Sequence, residues 1–571
     1  MASSCQNAAV IAHVISEALH KKSKGDSSEY NIILTELSRS NILDVSLSRW
    51  LDGLKCCASV LGKGFEDLVG ITLDINWIYK DDQFVADYTE YLTSLLSANP
   101  VYLSPCIRKL VSLMKPETQQ DPGLKLVFER VHQMLNVILK LAPGGLRIVQ
   151  KMIQELFPYK QKSAFILECY VMNLFRLLEY APSLTPVVWE LIVNKLIQID
   201  TELPNQSQNE VLDDENGGDE KDQSQFQEEI NDDHVGDITP YSWPDPDDTC
   251  DLLSHKLDVL MSRCLCYCYY CCHPKGVFSF DDSTRLFYVL LEIFKKCLLP
   301  THGSSYPQFL CFYVCSYHKT FCEEFLLRLW TTVESVSLSA TVRQAAAAYI
   351  GSFAARAKYL PLSCVKTVLE LLVGWIHRYV DQFDHLSSGA DSFLHGPFYA
   401  VCQAVFYIFV FRHKQLLNAE SDCSGLSYLQ SLNLGRVVSC HLNPLMVCLD
   451  SVVNMFATLT RNYQIAFCYT VLERNRRVLV PQHGKTSFPM GTFFPFEPYT
   501  LPKSSKFIRH LYQEWEGGSL SDLIGETDSH SEQDTDDEYL QKHRMSESDH
   551  DNMSGDVLAN SSPQSFSSAA N

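Results

Sequence analysis

Residues 124–158, LKLVFERVHQMLNVILKLAPGGLRIVQKMIQELFP, decide the fold. Apolar side chains recur there at steps of three and four residues, at Leu124, Val127, Val131, Leu135, Ile138 and Leu141. The triplet Pro143-Gly144-Gly145 interrupts this spacing, which resumes at Leu146, Val149, Ile153 and Leu156 and stops at Pro158. Such spacing places apolar side chains on one face of a helix, and proline and glycine end helices. The stretch 122–157 therefore predicts a pair of amphipathic helices.

A second pair follows the first. Residues 163–199 repeat the plan, with a break at Pro182, so that two consecutive pairs are 36 and 37 residues long. These lengths lie just under the 40–47 residues of HEAT-like helical repeats. Because neither pair can bury its apolar face alone, we expect the pairs to stack on their neighbours.

Helical spacing returns in the second half of the chain, at 253–272, 283–298, 308–333, 340–359, 362–384, 397–417, 443–460 and 462–475. The segment 343–359 is rich in alanine and glycine, which allows neighbouring helices to approach closely. Strict period-two alternation is scarce, so a sheet-based core is not expected. The sequence predicts an all-α, HEAT-like helical-repeat solenoid.

The charge of the chain is concentrated in two segments. The net charge is −21, but residues 201–250 hold 16 acids and one base, and residues 517–571 hold 12 acids and two bases, which leaves +4 for the rest. Both segments are poor in large apolar side chains, so we expect an acidic disordered loop and a disordered acidic, Ser-rich tail. Acidic runs are most often solvated linkers, or they bind basic surfaces.

These observations predict five parts of the chain: an N-terminal half of the helical array (1–200), the acidic loop (201–250), a C-terminal half (251–485), a strap (486–516) and the tail (517–571). The strap has four prolines among many aromatic residues within 486–508. Prolines disfavour a helix, so we expect an extended segment packed on the array.

The composition indicates a reducing compartment and predicts no membrane-spanning segment. The 21 cysteines are scattered through apolar stretches, where a thiol behaves as a small hydrophobic group. The longest apolar run, 398–411, has 14 residues, which is too short to cross a bilayer and suits a buried core helix. The start of the chain makes a poor signal peptide. We therefore expect a soluble protein of the cytosol or nucleus.

Motifs for catalysis and cofactors are scarce. The sequence has no G-x-x-x-x-G-K-[ST], H-E-x-x-H or G-x-S-x-G motif, so neither an enzyme nor a cofactor is predicted. Cys264, Cys266, Cys268, Cys271, Cys272 and His273 form one cluster. Zinc sites usually combine two separated ligand pairs, whereas all these candidates fall within ten residues of one helical stretch. We interpret the cluster as core packing, with a zinc-dependent enzyme as the competing hypothesis.

Several tail residues are phosphorylation candidates. Acid-directed kinases of the casein-kinase-II type prefer an acid three residues after the target, as at Ser529, Ser531, Thr535, Ser546 and Ser548. Ser562 precedes Pro563 and suits a proline-directed kinase. Each phosphate would add a charge of about −1.5 to −2.

Five blocks of sequence carry a family resemblance. They are ECYVMNLFRLLEYAP (168–182), RQAAAAYIGSFAARAKYLP (343–361), LHGPFYAVCQAVFYIFVFRHKQLL (394–417), YLQSLNLGRVV (428–438) and TFFPFEPYTLPKSSKFI (492–508). Together they resemble the RNA polymerase I-specific transcription initiation factor family, also called transcription initiation factor IA. The similarity runs from about residue 74 to residue 515.

The resemblance implies a non-enzymatic HEAT-repeat adaptor in the nucleus and nucleolus. Such a protein binds RNA polymerase I and bridges it to the promoter-bound selectivity factor on ribosomal DNA, and regulatory kinases control the bridge. In this family, polymerase contact is linked to a serine-bearing surface, for which Ser94, Ser97 and Ser104 are possible counterparts. Ordinary helix-end and N-cap serines are the alternative.

The basic residues of the sequence are candidates for a weak contact with DNA. Arg412 with Lys414 is a candidate partner-binding pair, and Arg461, Arg474, Arg476 and Arg477 could form a second basic patch. Nucleic-acid binders usually show a concentrated basic face, whereas the chain outside the two acidic segments sums to only +4. The alternative function is a generic helical-repeat scaffold or a transport or regulatory subunit.

Overall fold

The computed structural model describes residues 2–39, 43–116, 123–203, 239–244, 250, 252–385, 389–418, 424–478 and 494–515. The chain forms two compact units, of which unit 1 ends at Ile293 and unit 2 begins at Phe294. Regular structure within the described ranges is helical, and the only β-bridge found there joins Ala357 to Tyr512. The predicted all-α fold class is confirmed. Most of the predicted acidic loop and all of the predicted tail lie outside the described residues.

Unit 1 is a succession of helices, each of which packs mainly on helices one or two positions away in chain order. The helices are α1 Ala2–Ser23, α2 Ser28–Leu37, α3 Asp44–Cys56, α4 Glu66–Leu73, α5 Asp82–Ala98, α6 Leu103–Ser112, α7 Leu124–Leu141, α8 Gly145–Glu155, α9 Ala164–Tyr180, α10 Thr185–Asp200, α11 Leu253–Cys272 and α12 Phe280–Ile293. Helix α5 packs on α3 and α7, α6 on α8, and α9 on α7 and α11. This alternation buries each apolar stripe against the next helices, as in a helical-repeat array.

The two predicted helix pairs are α7–α8 and α9–α10. The spaced apolar residues of α7 from Leu124 to Ile138 are buried, and so is Val149 of α8, whereas Leu141 at the end of α7 is exposed. Helix α9 is buried on nearly every side, because its apolar residues are not confined to one stripe. It is therefore a central helix of unit 1, and the polar side chains that it buries must find partners inside the protein.

Unit 2 begins with a π-helical turn at Phe294–Leu298. Its α-helices are α13 Phe309–Cys315, α14 Lys319–Glu334, α15 Ala340–Arg356, α16 Leu362–Phe383, α17 Ser392–Asn418, α18 Ser424–Ser431, α19 Leu434–Ser439, α20 Asp450–Asn462 and α21 Tyr469–Val478. The stretch 308–333, predicted as continuous helical spacing, is divided at residues 316–318. His318 there adopts an extended conformation (φ −154°, ψ 139°), and its ring accepts a hydrogen bond from the Thr320 amide.

The core of unit 2 is built around α15 and α17, which lie unusually close together. The small residues of α15 allow this approach, since a Cβ on Gly351 would lie 2.8 Å from Ala404 Cβ and 2.9 Å from Ala404 Cα. Helix α17 is apolar and long enough to span a membrane by length and composition, but 89% of its apolar window is buried inside the protein. The prediction of a buried core helix at this position is confirmed.

Replacement of Gly351 with alanine is expected to lower the free energy of unfolding of unit 2 by about 1–3 kcal/mol, because the new methyl group meets backbone that cannot rotate away. Segment-resolved hydrogen exchange in α15 and α17 measures the loss. The double variant Gly351→Ala/Ala404→Gly restores the space and should recover part of it. A single variant as stable as the wild type would contradict the close approach.

Candidate interaction surfaces

The three candidate serines lie on α5 and α6, at a turn that unit 1 holds firmly. The side-chain amide of Asn99 donates to the Ala58 carbonyl (2.6 Å), and the Tyr102 hydroxyl donates to the Gly62 carbonyl (2.8 Å). The 3₁₀ turn Pro100–Tyr102 is thereby fixed to the loop after α3. Consequently Val101, which is 66% exposed, points away from the core.

The serines are not equivalent. Ser97 and Ser104 are exposed, whereas Ser94 is half-buried. The hydroxyls of Ser94 and Ser97 donate to carbonyls one turn earlier, those of Glu90 (2.8 Å) and Thr93 (2.6 Å). Ser97 lies in the last turn of α5, and Ser104 is the second residue of α6 rather than its N-cap. We call the patch formed by Ser97, Val101 and Ser104 the α5–α6 surface.

The α5–α6 surface is bordered by cations that are already paired. Arg108 forms an ion pair with Glu155 of α8, and Lys109 forms one with Asp74 (2.7 Å). The surface itself therefore offers hydroxyl groups and one aliphatic side chain. A phosphate or carboxylate placed on it would change its charge strongly.

Arg412 and Lys414 do not form a common surface. Lys414 is exposed, but Arg412 is only 1% exposed, so the partner contact expected of this pair cannot involve the Arg412 guanidinium in this structure. Arg412 Nε donates to the Ala354 carbonyl (3.0 Å), and Nη2 donates to the Ala357 carbonyl. Its role in the structure is to bind the carbonyl groups at the end of α15.

Residues 494–515, the part of the predicted strap that the structure describes, lie across this region of unit 2. Phe496 is fully buried against the rings of Phe312, Tyr349 and Phe353. The Gln513 amide donates to the Arg356 carbonyl (2.7 Å). The strap contains two 3₁₀ turns, at Ser505–Phe507 and Arg509–Leu511.

Arg356 is a buried residue that contacts the strap, and the sequence did not reveal it. Its guanidinium lies 4.2 Å from the Phe411 ring centre and 5.2 Å from that of Tyr512, and its Nε donates to the Tyr407 hydroxyl (3.0 Å). Cations over aromatic faces stabilise buried contacts of this kind. The many aromatic residues of the strap predict that it packs on the helical array, but they do not indicate which helix it contacts.

The cysteine cluster lies on α11 and packs in the core of unit 1. Cys264, Cys266, Cys268 and Cys272 are buried. Burial raises the pKa of Cys271 to about 12 and the pKa of Cys272 to about 11, so these thiols stay protonated at neutral pH. A metal site also needs several ligands that converge on one point, and among the described residues no group of three or more His, Cys, Asp or Glu could hold a metal ion.

Two further features are exposed on unit 2. Arg461, Arg474, Arg476 and Arg477 are all exposed on α20 and α21, although Arg477 pairs with Glu473 (3.2 Å). An apolar groove of about 400 Å³ lies between α14 and α16, with Leu327 and Leu371 exposed along it. Such a groove can accept an apolar side chain of a partner.

The predicted phosphorylation candidates, Ser529, Ser531, Thr535, Ser546, Ser548 and Ser562, lie outside the described residues. The fold and the surfaces above define the class of the protein as an all-α helical-repeat protein.

Comparisons with known proteins assign this helical-repeat protein to a family. The model of the family "RNA polymerase I specific transcription initiation factor RRN3" matches residues 5–519. The chain is 37% identical to the RNA polymerase I-specific transcription initiation factor RRN3 of Mus musculus, over 92% of this chain and 84% of that protein. It is 29% identical to the factor rrn3 of Schizosaccharomyces pombe, over 91% and 88% of the two chains. The chain belongs to the RNA polymerase I-specific transcription initiation factor RRN3 family.

A solved structure supports the fold. The crystal structure of RNA polymerase I transcription initiation factor Rrn3 superposes with a TM-score of 0.70 at 24% identity, covering 89% of this chain and 99% of that chain. At this identity the similarity concerns the fold alone. Together with the family assignment, it supports the predicted helical-repeat architecture.

Proposed function

We propose that this chain is a non-enzymatic adaptor that binds RNA polymerase I and bridges it to the promoter-bound selectivity factor on ribosomal DNA. The family match across residues 5–519 carries this proposal, since it covers both units. Membership of a polymerase I-specific initiation factor family implies interaction with that polymerase and work in the nucleus and nucleolus. Bridging is the simplest use of a helical array with several exposed surfaces.

The α5–α6 surface is our candidate for the polymerase contact. It combines a fixed turn, an exposed valine and two exposed hydroxyl groups, as described above. Phosphorylation of Ser97 or Ser104 by regulatory kinases would place about two negative charges at this patch and weaken an interface formed with the neutral hydroxyls. The exposed arginines of α20 and α21, together with Lys414, would add at most a weak contact to DNA.

Replacement of Ser104 with aspartate is expected to lower the affinity for RNA polymerase I about tenfold, which corresponds to roughly 1.4 kcal/mol. Because Ser104 lies in the first turn of α6, a carboxylate there is compatible with the helix dipole and should not destabilise the fold. Ser97→Asp should lower the affinity in the same direction. Binding is measured with the purified full chain and purified polymerase at a fixed salt concentration.

Ser254→Asp provides the matched control, because Ser254 is exposed and is also the second residue of its helix, α11, but is not part of the α5–α6 surface. It should leave the affinity unchanged. Equal losses for Ser104→Asp and Ser254→Asp would show a general charge effect rather than a contact on α5–α6. Failure of the wild-type chain to bind the polymerase at all would overturn the proposed function itself and favour a generic helical scaffold.

A further inference from the structure

A short segment from the end of the acidic region, residues 239–244 (TPYSWP), lies against α7, α9 and α11 of unit 1. It belongs to no helix, and its shape is set by a turn of its own. The Ser242 amide and hydroxyl both donate to the Thr239 carbonyl, at 3.0 and 2.7 Å. With Pro240 as the second residue of this turn, the segment is preorganised before it contacts the helices.

A buried arginine binds the backbone of this segment. Arg263 of α11 is 7% exposed, and its Nη1 donates to the carbonyls of Pro240 and Ser242, both at 2.9 Å. The other edge of the guanidinium is paired with Glu168 of α9, to which Nε donates at 3.1 Å. The carboxylate fixes the planar group, so that one nitrogen faces two carbonyls of the turn, those on either side of Tyr241. This recognition depends on the backbone and requires no particular side chain at position 242.

Aromatic contacts recognise the side chains on either side. The Trp243 ring lies 5.7 Å from Phe128 of α7 and 6.4 Å from Phe165 of α9, measured between ring centres. The Tyr241 ring lies 5.6 Å from Tyr270, and its hydroxyl is hydrogen-bonded to Glu179. Pro240 and Pro244 are buried. The site therefore selects a turn-forming segment with two aromatic residues separated by one residue, flanked by proline.

The strap of unit 2 is a useful comparison, because it packs on the helices through buried side chains. Phe496 and Ile508 are completely buried there, and Leu501, Phe507 and Tyr512 are buried as well. In contrast, Trp243 remains 39% exposed, and Tyr241 and Ser242 are only half-buried. Because binding free energy comes mainly from fully buried anchors, we expect residues 239–244 to have a modest intrinsic affinity for their site.

We propose that the face formed by Phe128, Phe165, Arg263 and Tyr270 is a peptide-binding site that residues 239–244 occupy in cis and that a partner segment of the same aromatic-x-Trp-Pro chemistry can occupy in trans. Tethering supplies the cis segment at an effective concentration on the order of millimolar, which compensates for its modest affinity. A partner that carries such a segment and makes a second contact elsewhere displaces it. The inference rests on unit 1 alone and is independent of the proposed polymerase contact.

The test uses the full chain and a synthetic peptide of residues 237–250, labelled with a fluorophore on Cys250. The host is the variant Tyr241→Ala/Trp243→Ala, in which the cis segment has lost its aromatic anchors. Fluorescence anisotropy should show saturable binding to this host, at least tenfold tighter than to the wild-type chain, whose site is occupied. A peptide with the same two alanine substitutions has the same charge and should lose the binding.

Equal binding of the two peptides would reduce the interaction to attraction of an acidic segment and overturn the proposal. Equal binding to the variant and to the wild-type chain would overturn it as well, because it would place the peptide elsewhere. A second measurement needs no variant: millimolar unlabelled peptide added to the wild-type chain should increase the hydrogen exchange of residues 239–244. Unchanged exchange at a peptide concentration that saturates the wild-type chain would show that the cis segment is a fixed part of the fold.

Discussion

Replacing Arg412 with alanine is expected to lower the free energy of unfolding of unit 2 by about 3–5 kcal/mol, among the largest effects of any single substitution in this chain. The guanidinium donates to two main-chain carbonyls at the end of α15, those of Ala354 and Ala357, and to the side chain of Gln415 (2.7 Å). Alanine leaves these acceptors buried without their donor and opens a cavity of the size of the side chain. Both consequences act in the same direction.

Hydrogen exchange resolved by segment provides the measurement, since it reports unit 2 while the peptides of unit 1 serve as an internal reference. Protection should fall in α15 and in the strap, which meet the Arg412 side chain. Lys414→Ala is the matched control, because Lys414 is a cation two residues along the same helix but exposed; it should change stability by less than about 0.5 kcal/mol. Equal effects of the two substitutions would show that the buried hydrogen bonds contribute little.

The position of Arg412 also shows why sequence alone misassigned the surroundings of this residue. An arginine that follows a long apolar run usually marks the place where a helix emerges into water. In this structure α15 and the strap both contact Arg412, and they bury it although it follows the apolar run of α17. Gln513, one of its partners, lies 101 residues further along the chain, and periodicity carries no information about contacts over such a separation.

Local patterns did predict the helices with useful accuracy. The pairs α7–α8 and α9–α10 begin and end within a few residues of the breaks at Pro143 and Pro182, because apolar spacing and helix-breaking residues act locally. The division between the units at residue 293 was not visible in the same way. The apolar spacing of 283–298 continues through the π-helical turn at Phe294–Leu298, so the chain passes from one unit to the other without a change of pattern.

The candidate surfaces depended on a different kind of information. Exposed serines and arginines have no periodic signature, and the resemblance to a family was what directed attention to Ser94, Ser97 and Ser104. The structure then distinguished among them, since Ser94 is half-buried, whereas Ser97 and Ser104 are exposed. The site for residues 239–244 was missed because an acidic segment gives no indication that a Tyr-Ser-Trp-Pro stretch within it contacts a buried arginine.

The second large effect concerns pH and a buried histidine of unit 1. His132 on α7 is 4% exposed, and its two ring nitrogens contact the Tyr180 hydroxyl (2.7 Å) and the Asn173 side-chain oxygen (3.0 Å). Burial lowers the pKa of His132 to about 4, from about 6.5 in the unfolded chain. Above pH 6.5 the ring is neutral in both states, and the histidine adds no pH dependence.

As the pH falls from 6.5 to 4, the unfolded chain binds a proton at His132 that the folded chain does not bind. The free energy of unfolding of unit 1 should therefore fall over this range, by up to about 3 kcal/mol from this one residue, and the loss should level off below pH 4. Urea titrations read out by hydrogen exchange in α7 and α9 measure it.

The control is His132→Gln, which is less stable than the wild type at pH 7 because it fills the site poorly, but which cannot take up a proton. The stability difference between the two chains should narrow as the pH falls towards 4, since only the wild type loses this contribution. A constant difference between pH 7 and pH 4 would mean that His132 titrates equally in both states and that its burial is relieved in solution.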